Sequence, residues 1–144
     1  MRVRDVLQRK GNRIITIRSD ARVDEAIALL VRNDIGSLPV LDAEGRMIGV
    51  ISERDVLRLY HVHGDAFGRL AVETVMTRNP AACSALDDVE EVMGLMSERR
   101  IAKVPVVEGE KLVGIVSVGD VIKAMYDAAR DENSRLYDYV HGIA

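Results

Sequence analysis

The chain has 144 residues, enough for one compact domain that buries about 68–70% of the surface its unfolded form exposes. A formal net charge of −3 supplies no field for nucleic acid or an anionic membrane, and the single Cys83 excludes an internal disulfide framework and fits a reducing compartment. No apolar run approaches the ~20 residues of a membrane span and residues 1–5 lack the apolar stretch of a secretory signal, so a cytoplasmic protein is expected.

Residues 3–9 form a short amphipathic stretch, predicted as a helix, and residues 72–78 are its counterpart, with Val6-Leu7 matching Val75-Met76. Residues 14–17, rich in β-branched side chains, read as a strand, with residues 81–84 in the matching place. Val23, Ala26, Ile27, Leu30 and Val31 then recur at helical spacing, ending near Asn33. Val89, Val92, Met93 and Met96 do the same later, behind Asp88, which with Glu91 makes a candidate cap and return bond; Arg22 is the weaker cap of the first helix. Residues 37–41 and 47–51 flank the turn Asp42-Ala43-Glu44-Gly45 and read as a hairpin, as do 104–107 and 112–116 around Glu108-Gly109-Glu110. Each hairpin runs into a helix that begins at Ser52 or Ser117. The last helix is expected to continue to Tyr139-Val140, with Gly142 as its stop. Pro39 and Pro105 sit inside strands, which predicts edge or bulge positions.

The chain therefore says the same thing twice. Pro39 and Pro105 stand 66 positions apart and Asp55 and Asp120 stand 65 apart, so one residue is lost in the intervening turn. Two copies at this period are a tandem pair of units that complete one another, since a lone half of roughly 60 residues is marginal. The order strand, helix, strand, strand, helix in each half gives the fold class α+β, a β-α-β-β-α repeat used twice. The expected divisions are 1–68, 69–126 and a C-terminal extension over 127–144, which either covers the pair or meets another subunit.

The sharpest local feature is Gly-apolar-apolar-Ser-x-x-Asp at a strand-to-helix junction, over residues 49–55 and again 114–120. One reading is structural: a Ser caps the helix and the acid three residues on returns a bond. The other takes the Gly as room for a ligand to approach the backbone, the helix start as an anion site, and the carboxylate as acceptor for a vicinal diol such as ribose. Charge-assisted bonds of the latter kind are worth about 1.5 to 3 kcal/mol each. Phosphate beside the hydroxyl and ribose on the carboxylate describe a nucleotide.

In joining Ile-x-x-x-Pro-apolar-apolar-Asp/Glu to this junction twice, over residues 3–124, the chain resembles the CBS-domain pair, or Bateman module. Its tail, Leu136 to Gly142, is similar to that of stand-alone two-repeat members. The resemblance implies two repeats packed with pseudo-two-fold symmetry and an adenine nucleotide such as AMP, ADP, ATP or NAD, or S-adenosylmethionine, in two clefts between them. One cleft would use Val50, Ser52, Arg54, Asp55 and Ser37 with Thr77, Asn79, Ala81 and Ile101. The other would use Ile115, Ser117, Asp120 and Lys103 with Ile15, Ile35 and Gly36. Arg54 against Gly119, and Ser37 against Lys103, imply different phosphate preferences, and residues 10–13 replace Thr77-Arg78-Asn79-Pro80 at one wall.

An enzyme is not expected. His61, His63 and His141 make no zinc pattern or nucleophile–base pair, and no glycine run ends in Gly-Lys-Ser/Thr. The expectation is a regulatory module that forms a homodimer through its amphipathic helices and acts on an unidentified protein. The alternative is a ligand-free dimerisation module whose Ser-x-x-Asp motifs are caps alone.

Overall fold

The computed structural model describes residues 1–11 and 13–142; Asn12, in the replaced segment, and the last two residues of the expected extension lie outside the described residues. Its elements are α1 (Val3–Lys10), β1 (Ile17–Arg18), α2 (Val23–Asn33), β2 (Ser37–Leu41), β3 (Met47–Ser52), α3 (Glu53–His63), a 3-10 helix (Gly64–Arg69), α4 (Val72–Val75), β4 (Thr77–Arg78), α5 (Val89–Arg99), β5 (Lys103–Glu108), β6 (Lys111–Ser117) and α6 (Val118–Val140). The class is α+β as read from the sequence, and the first half follows the expected order, whereas the strand expected over residues 81–84 of the second half is not formed. The residues group into two compact units, one of 1–12, 83–106 and 114–144, the other of 13–82 and 107–113.

The unit of residues 13–82 and 107–113 is built on a four-stranded sheet in the order β1-β2-β3-β4. β1 runs parallel to β2, and β3 is antiparallel to both β2 and β4. Leu38, Val40 and Ile51 point from the sheet into a core completed by Val23, Ala26 and Leu30 of α2 and by Val72 and Met76. The predicted strand over 14–17 shrinks to Ile17–Arg18, because only Ile17 and Arg18 find partners, Val40 and Leu41. The predicted helix over 72–78 stops at Val75, since Thr77 and Arg78 are drawn into the ladder against Val50 and Gly49.

In the other unit the counterpart of β1 is reduced to Cys83, which bridges in parallel to Val106. Cys83 N–H donates to the Pro105 carbonyl at 2.9 Å. Because a strand residue presents its N and its C=O to the same side, the N–H that Pro105 lacks lies toward this one-residue bridge. Of the edge or bulge position expected for Pro39, the edge is not found, since β2 is interior; β1 pairs only with Val40 and Leu41 and stops short of it, and the β2–β3 register shifts between Val40 and Leu41, close to it. Val3 and Val6 of α1, Val89, Val92 and Met96 of α5, the strand residues Val104, Val106 and Val116, and Val121 of α6 are buried here. Burial pushes the Cys83 thiol up to about 11, with the Asp87 carboxylate adding to it, so Cys83 is a packed, protonated side chain at neutral pH.

Each opening helix lies in the unit that carries the middle helix of the other half, α5 for α1 and α2 for α4. Val3 and Arg4 N–H donate to Asp87 and Ala85 carbonyls, and Val89 N–H returns to Met1. Val72 and Glu73 repeat this on Ala21 and Ser19, and Val23 N–H returns to Leu70. These bonds satisfy helix-start donors that would otherwise be orphaned. α2 and α5 both end on a left-handed residue, Asp34 (φ 52°) and Arg100 (φ 55°), after which Ile35 and Ile101 N–H donate back to Leu30 and Met96. Asp88 caps α5, but it accepts from Glu90 N–H at 3.2 Å and not through the expected exchange with Glu91. α6 runs to Val140 as predicted, and from Ala129 on only Asp138 is half-buried.

Candidate functional site

Ser52 ends β3 and caps α3, so the chain passes from ladder to helix at one residue. Asp55 N–H donates to Ser52 Oγ at 3.2 Å, and Asp55 Oδ2 accepts from Ser52 N–H at 2.9 Å and from Ser52 Oγ at 3.0 Å. The backbone on the other side is fixed by Glu53 N–H donating to the Gly36 carbonyl at 2.9 Å. Asp55 Oδ1 points away from the cap and has the Thr77 hydroxyl at 3.4 Å. Thr77 is there because β4 pairs it with Val50. The structure thus brings Val50, Ser52, Asp55 and Thr77 together. Arg54 is exposed on the first turn of α3, Asn79 is exposed with a left-handed φ of 49°, and Ser37 and Ala81 are half-buried in the same unit. Ile101 belongs to the other compact unit.

The second junction repeats the first with one substitution of partner. Asp120 N–H donates to Ser117 Oγ at 3.0 Å, Ser117 N–H donates to Asp120 Oδ2 at 2.9 Å, and Val118 N–H donates to the Ala102 carbonyl at 3.0 Å. No strand of the first half takes the place of β4 beside β6 among the described residues. Instead α1 runs on to Lys10, whose Nζ donates to Asp120 Oδ2 at 2.6 Å and to the Ile115 carbonyl at 2.7 Å. Burial pushes the Asp120 carboxyl up, but the Lys10 ammonium and the Ser117 N–H and hydroxyl together outweigh it and hold the group below the usual carboxylate range. Lys103 is exposed at the start of β5, and Ile15, Ile35 and Gly36 belong to the other unit, where Ile15 and Ile35 pack against the core of that unit.

At the glycine that opens each motif, the space a Cβ would take is filled by the chain itself. A Cβ on Gly49 would lie 2.6 Å from Met76 Sδ, and one on Gly114 would lie 2.8 Å from a Leu7 methyl. At Gly114 the close approach is that of a side chain of α1, and at Gly49 it is that of Met76, just past α4, together with the Thr77 carbonyl of β4. The paired Leu7 and Met76 were the signal in the sequence for it.

Two helix starts, each with a Ser cap and an acid on the first turn, reached from a hairpin and repeated in one chain, match a known signature. The CBS domain matches residues 3–62 and again residues 72–127. The chain belongs to the CBS-domain family. Among curated relatives, an uncharacterized 33.4 kDa protein in a ribosomal RNA operon of Thermofilum pendens is 40% identical over 119 residues, which are 83% of this chain and 37% of that relative's length. The CBS-domain containing protein of Agrobacterium tumefaciens has a solved structure with a TM-score of 0.78 at 35% identity, over 86% of this chain and 92% of that one. CBSX2 in complex with AMP gives 0.77 at 27% identity, covering 89% and 98% of the two chains. The CBS-domain pair of protein MJ0100 in complex with 5-methylthioadenosine and S-adenosyl-L-methionine gives 0.73 at 28% identity, over the same shares.

Within this CBS pair, no group of three or more His, Cys, Asp or Glu side chains that suits a metal is found among the described residues, and no described helix is long and apolar enough to cross a membrane. Lys10 is the site residue that reading by motif alone undervalued. It belongs to the segment that replaces the Thr77 wall, and its reach to Asp120 depends on where α1 ends.

Proposed function

We propose that this CBS pair is a non-catalytic regulatory module of a cytoplasmic setting. It holds an adenine nucleotide (AMP, ADP, ATP or NAD) at the Ser52/Asp55 and Ser117/Asp120 junctions and acts on a partner protein by changing its conformation or self-association. The observation that carries this reading is Asp55. Its Oδ2 is taken up by the Ser52 cap, while its Oδ1 has the Thr77 hydroxyl at 3.4 Å. A carboxylate oxygen beside a hydroxyl is an acceptor and donor pair suited to a ribose diol. The AMP complex of CBSX2 supports a nucleotide, and the 5-methylthioadenosine and S-adenosyl-L-methionine complexes of the MJ0100 pair, whose ligands carry no phosphate, support the adenosyl part of it.

The test is a melting assay with AMP, ADP, ATP and NAD, together with mass spectrometry of whatever copurifies. At 100 times its dissociation constant, a ligand specific to the native state adds about 2.7 kcal/mol. The 2′,3′-dideoxy form of the best ligand is expected to lose most of that gain, because the carboxylate is then left without its hydroxyls. Removing the diol is cleaner than Asp55→Ala, which also strips the capping box of α3 and costs roughly 1 kcal/mol by itself.

The second reading, a ligand-free dimerisation module, is favoured by the completeness of both capping boxes, in which Ser52 pairs with Asp55 and Ser117 with Asp120. A panel in which no adenine nucleotide raises the melting temperature would establish it in place of the first. Both readings share a homodimer: α3 exposes Leu57, Tyr60 and Val62, and α6 exposes Ile122, Met125 and Tyr126. Light scattering at micromolar concentration is expected to give twice the chain mass, and a monomer would exclude it.

A further inference from the structure

The two junctions differ most at a place the motif does not include. Asp55 faces a neutral hydroxyl at 3.4 Å, whereas Asp120 faces an ammonium at 2.6 Å. Lys10 also takes the carbonyl of Ile115, two residues before Ser117, in the position where Val50 has its strand partner Thr77. One flexible side chain therefore stands where no counterpart of β4 is found among the described residues of the first half, and in doing so it occupies the carboxylate. The pair is neither deeply buried nor fully open, with side-chain exposures of 32% for Lys10 and 24% for Asp120, so it can be broken at modest cost.

We infer that Lys10 is an internal occupant of the Asp120 site, so that nucleotide fills the Asp55 junction first and reaches Asp120 only by displacing the ammonium. This rests on the nucleotide reading above. A ribose hydroxyl is neutral and returns less to a carboxylate than an ammonium does, so the bound state at Asp120 carries the cost of releasing Lys10. The apparent affinity there is lowered by the fraction of molecules in which the lysine is already away. Asp55 carries no such tax. The two copies of one motif thereby become a graded pair, filled in a fixed order as nucleotide rises.

Calorimetric titration of the whole chain with AMP tests this, with amide NMR of residues 52–55 and 117–120 assigning each step. In the wild type the tighter step is expected at 52–55 and the weaker at 117–120. Lys10→Met is expected to tighten the weaker step about fivefold and leave the tighter one unchanged. An unchanged or weakened second step would overturn the inference and make Lys10 a structural plug for the Ile115 carbonyl or a phosphate ligand. In the ligand-free protein the carboxyl titration of Asp120 should move up toward the ordinary range in Lys10→Met, and its failure to move would overturn the contact itself. No heat from either protein would remove the nucleotide reading, and this inference with it. Binding by both proteins with identical second steps would remove only the inference.

Discussion

Leu38→Ala is expected to lower the stability of the folded chain by about 3–4 kcal/mol, or roughly 10 °C in melting temperature. Leu38 is fully buried on β2, between Ser37 and Pro39, and faces Val23, Ala26 and Leu30. A truncated side chain there leaves a cavity that can be closed only by moving β2 or α2. Both are tied down, β2 by ladders on two sides and α2 by the bonds between residues 19–23 and 70–73. Such a site cannot collapse, which puts the cost toward the upper part of the range for leucine truncations. The repeat supplies an internal comparison. Val104, 66 positions on, is equally buried, so Val104→Ala should cost about 1 kcal/mol less, the difference of one methylene. Urea denaturation of both variants checks the order, and a loss below 1 kcal/mol at Leu38 would contradict the packing described.

What was legible in the sequence was whatever depends on neighbours along the chain. The apolar period of residues 23–33, the hairpin turns at Gly45 and Gly109 and the Ser caps at 52 and 117 are local patterns, and each appears where it was expected. The sheet edges were not legible. Residues 14–17 have the composition of a strand, but a strand needs a partner, and the partner offers only Val40 and Leu41. Residues 72–78 are amphipathic enough for a helix, yet Thr77 and Arg78 gain ladder bonds against β3 that outweigh the helical preference. The same limit applies at the site. Ser52, Asp55, Ser117 and Asp120 could be named from spacing, whereas the contrast between Thr77 at one carboxylate and Lys10 at the other arises from helix length and tertiary contact. The glycines have a related limit: the sequence shows that something approaches the backbone closely, and the structure places Met76 and Leu7 there.

Gly49→Ala and Gly114→Ala should part company although the two glycines are equivalent in the repeat. A Cβ at Gly49 would stand 2.6 Å from Met76 Sδ and 2.8 Å from the Thr77 carbonyl oxygen. The methionine end can turn aside, but the carbonyl belongs to β4, which is paired through Thr77 and Arg78 to Val50 and to Gly49 itself. Relief therefore requires β4 to move away from β3, and a cost of about 2–3 kcal/mol is expected, the upper part of the range for overpacked sites. At Gly114 the obstruction is the isobutyl end of Leu7, at 2.8 and 2.9 Å, with no backbone atom among the nearest three. A rotamer change or a small shift of α1 relieves it, for a cost of about 1 kcal/mol. The difference reaches the ligand as well. β4 carries Thr77 to Asp55, so a displaced β4 withdraws the hydroxyl from that carboxylate, and Gly49→Ala should lose AMP-induced stabilisation in addition to its own melting temperature. Gly114→Ala moves α1 instead, and with it Lys10, so it should loosen the contact on Asp120 while leaving the Asp55 junction as it was. Melting curves of both variants with and without AMP separate these outcomes, and equal losses at the two glycines would mean that β4 yields as easily as a leucine side chain.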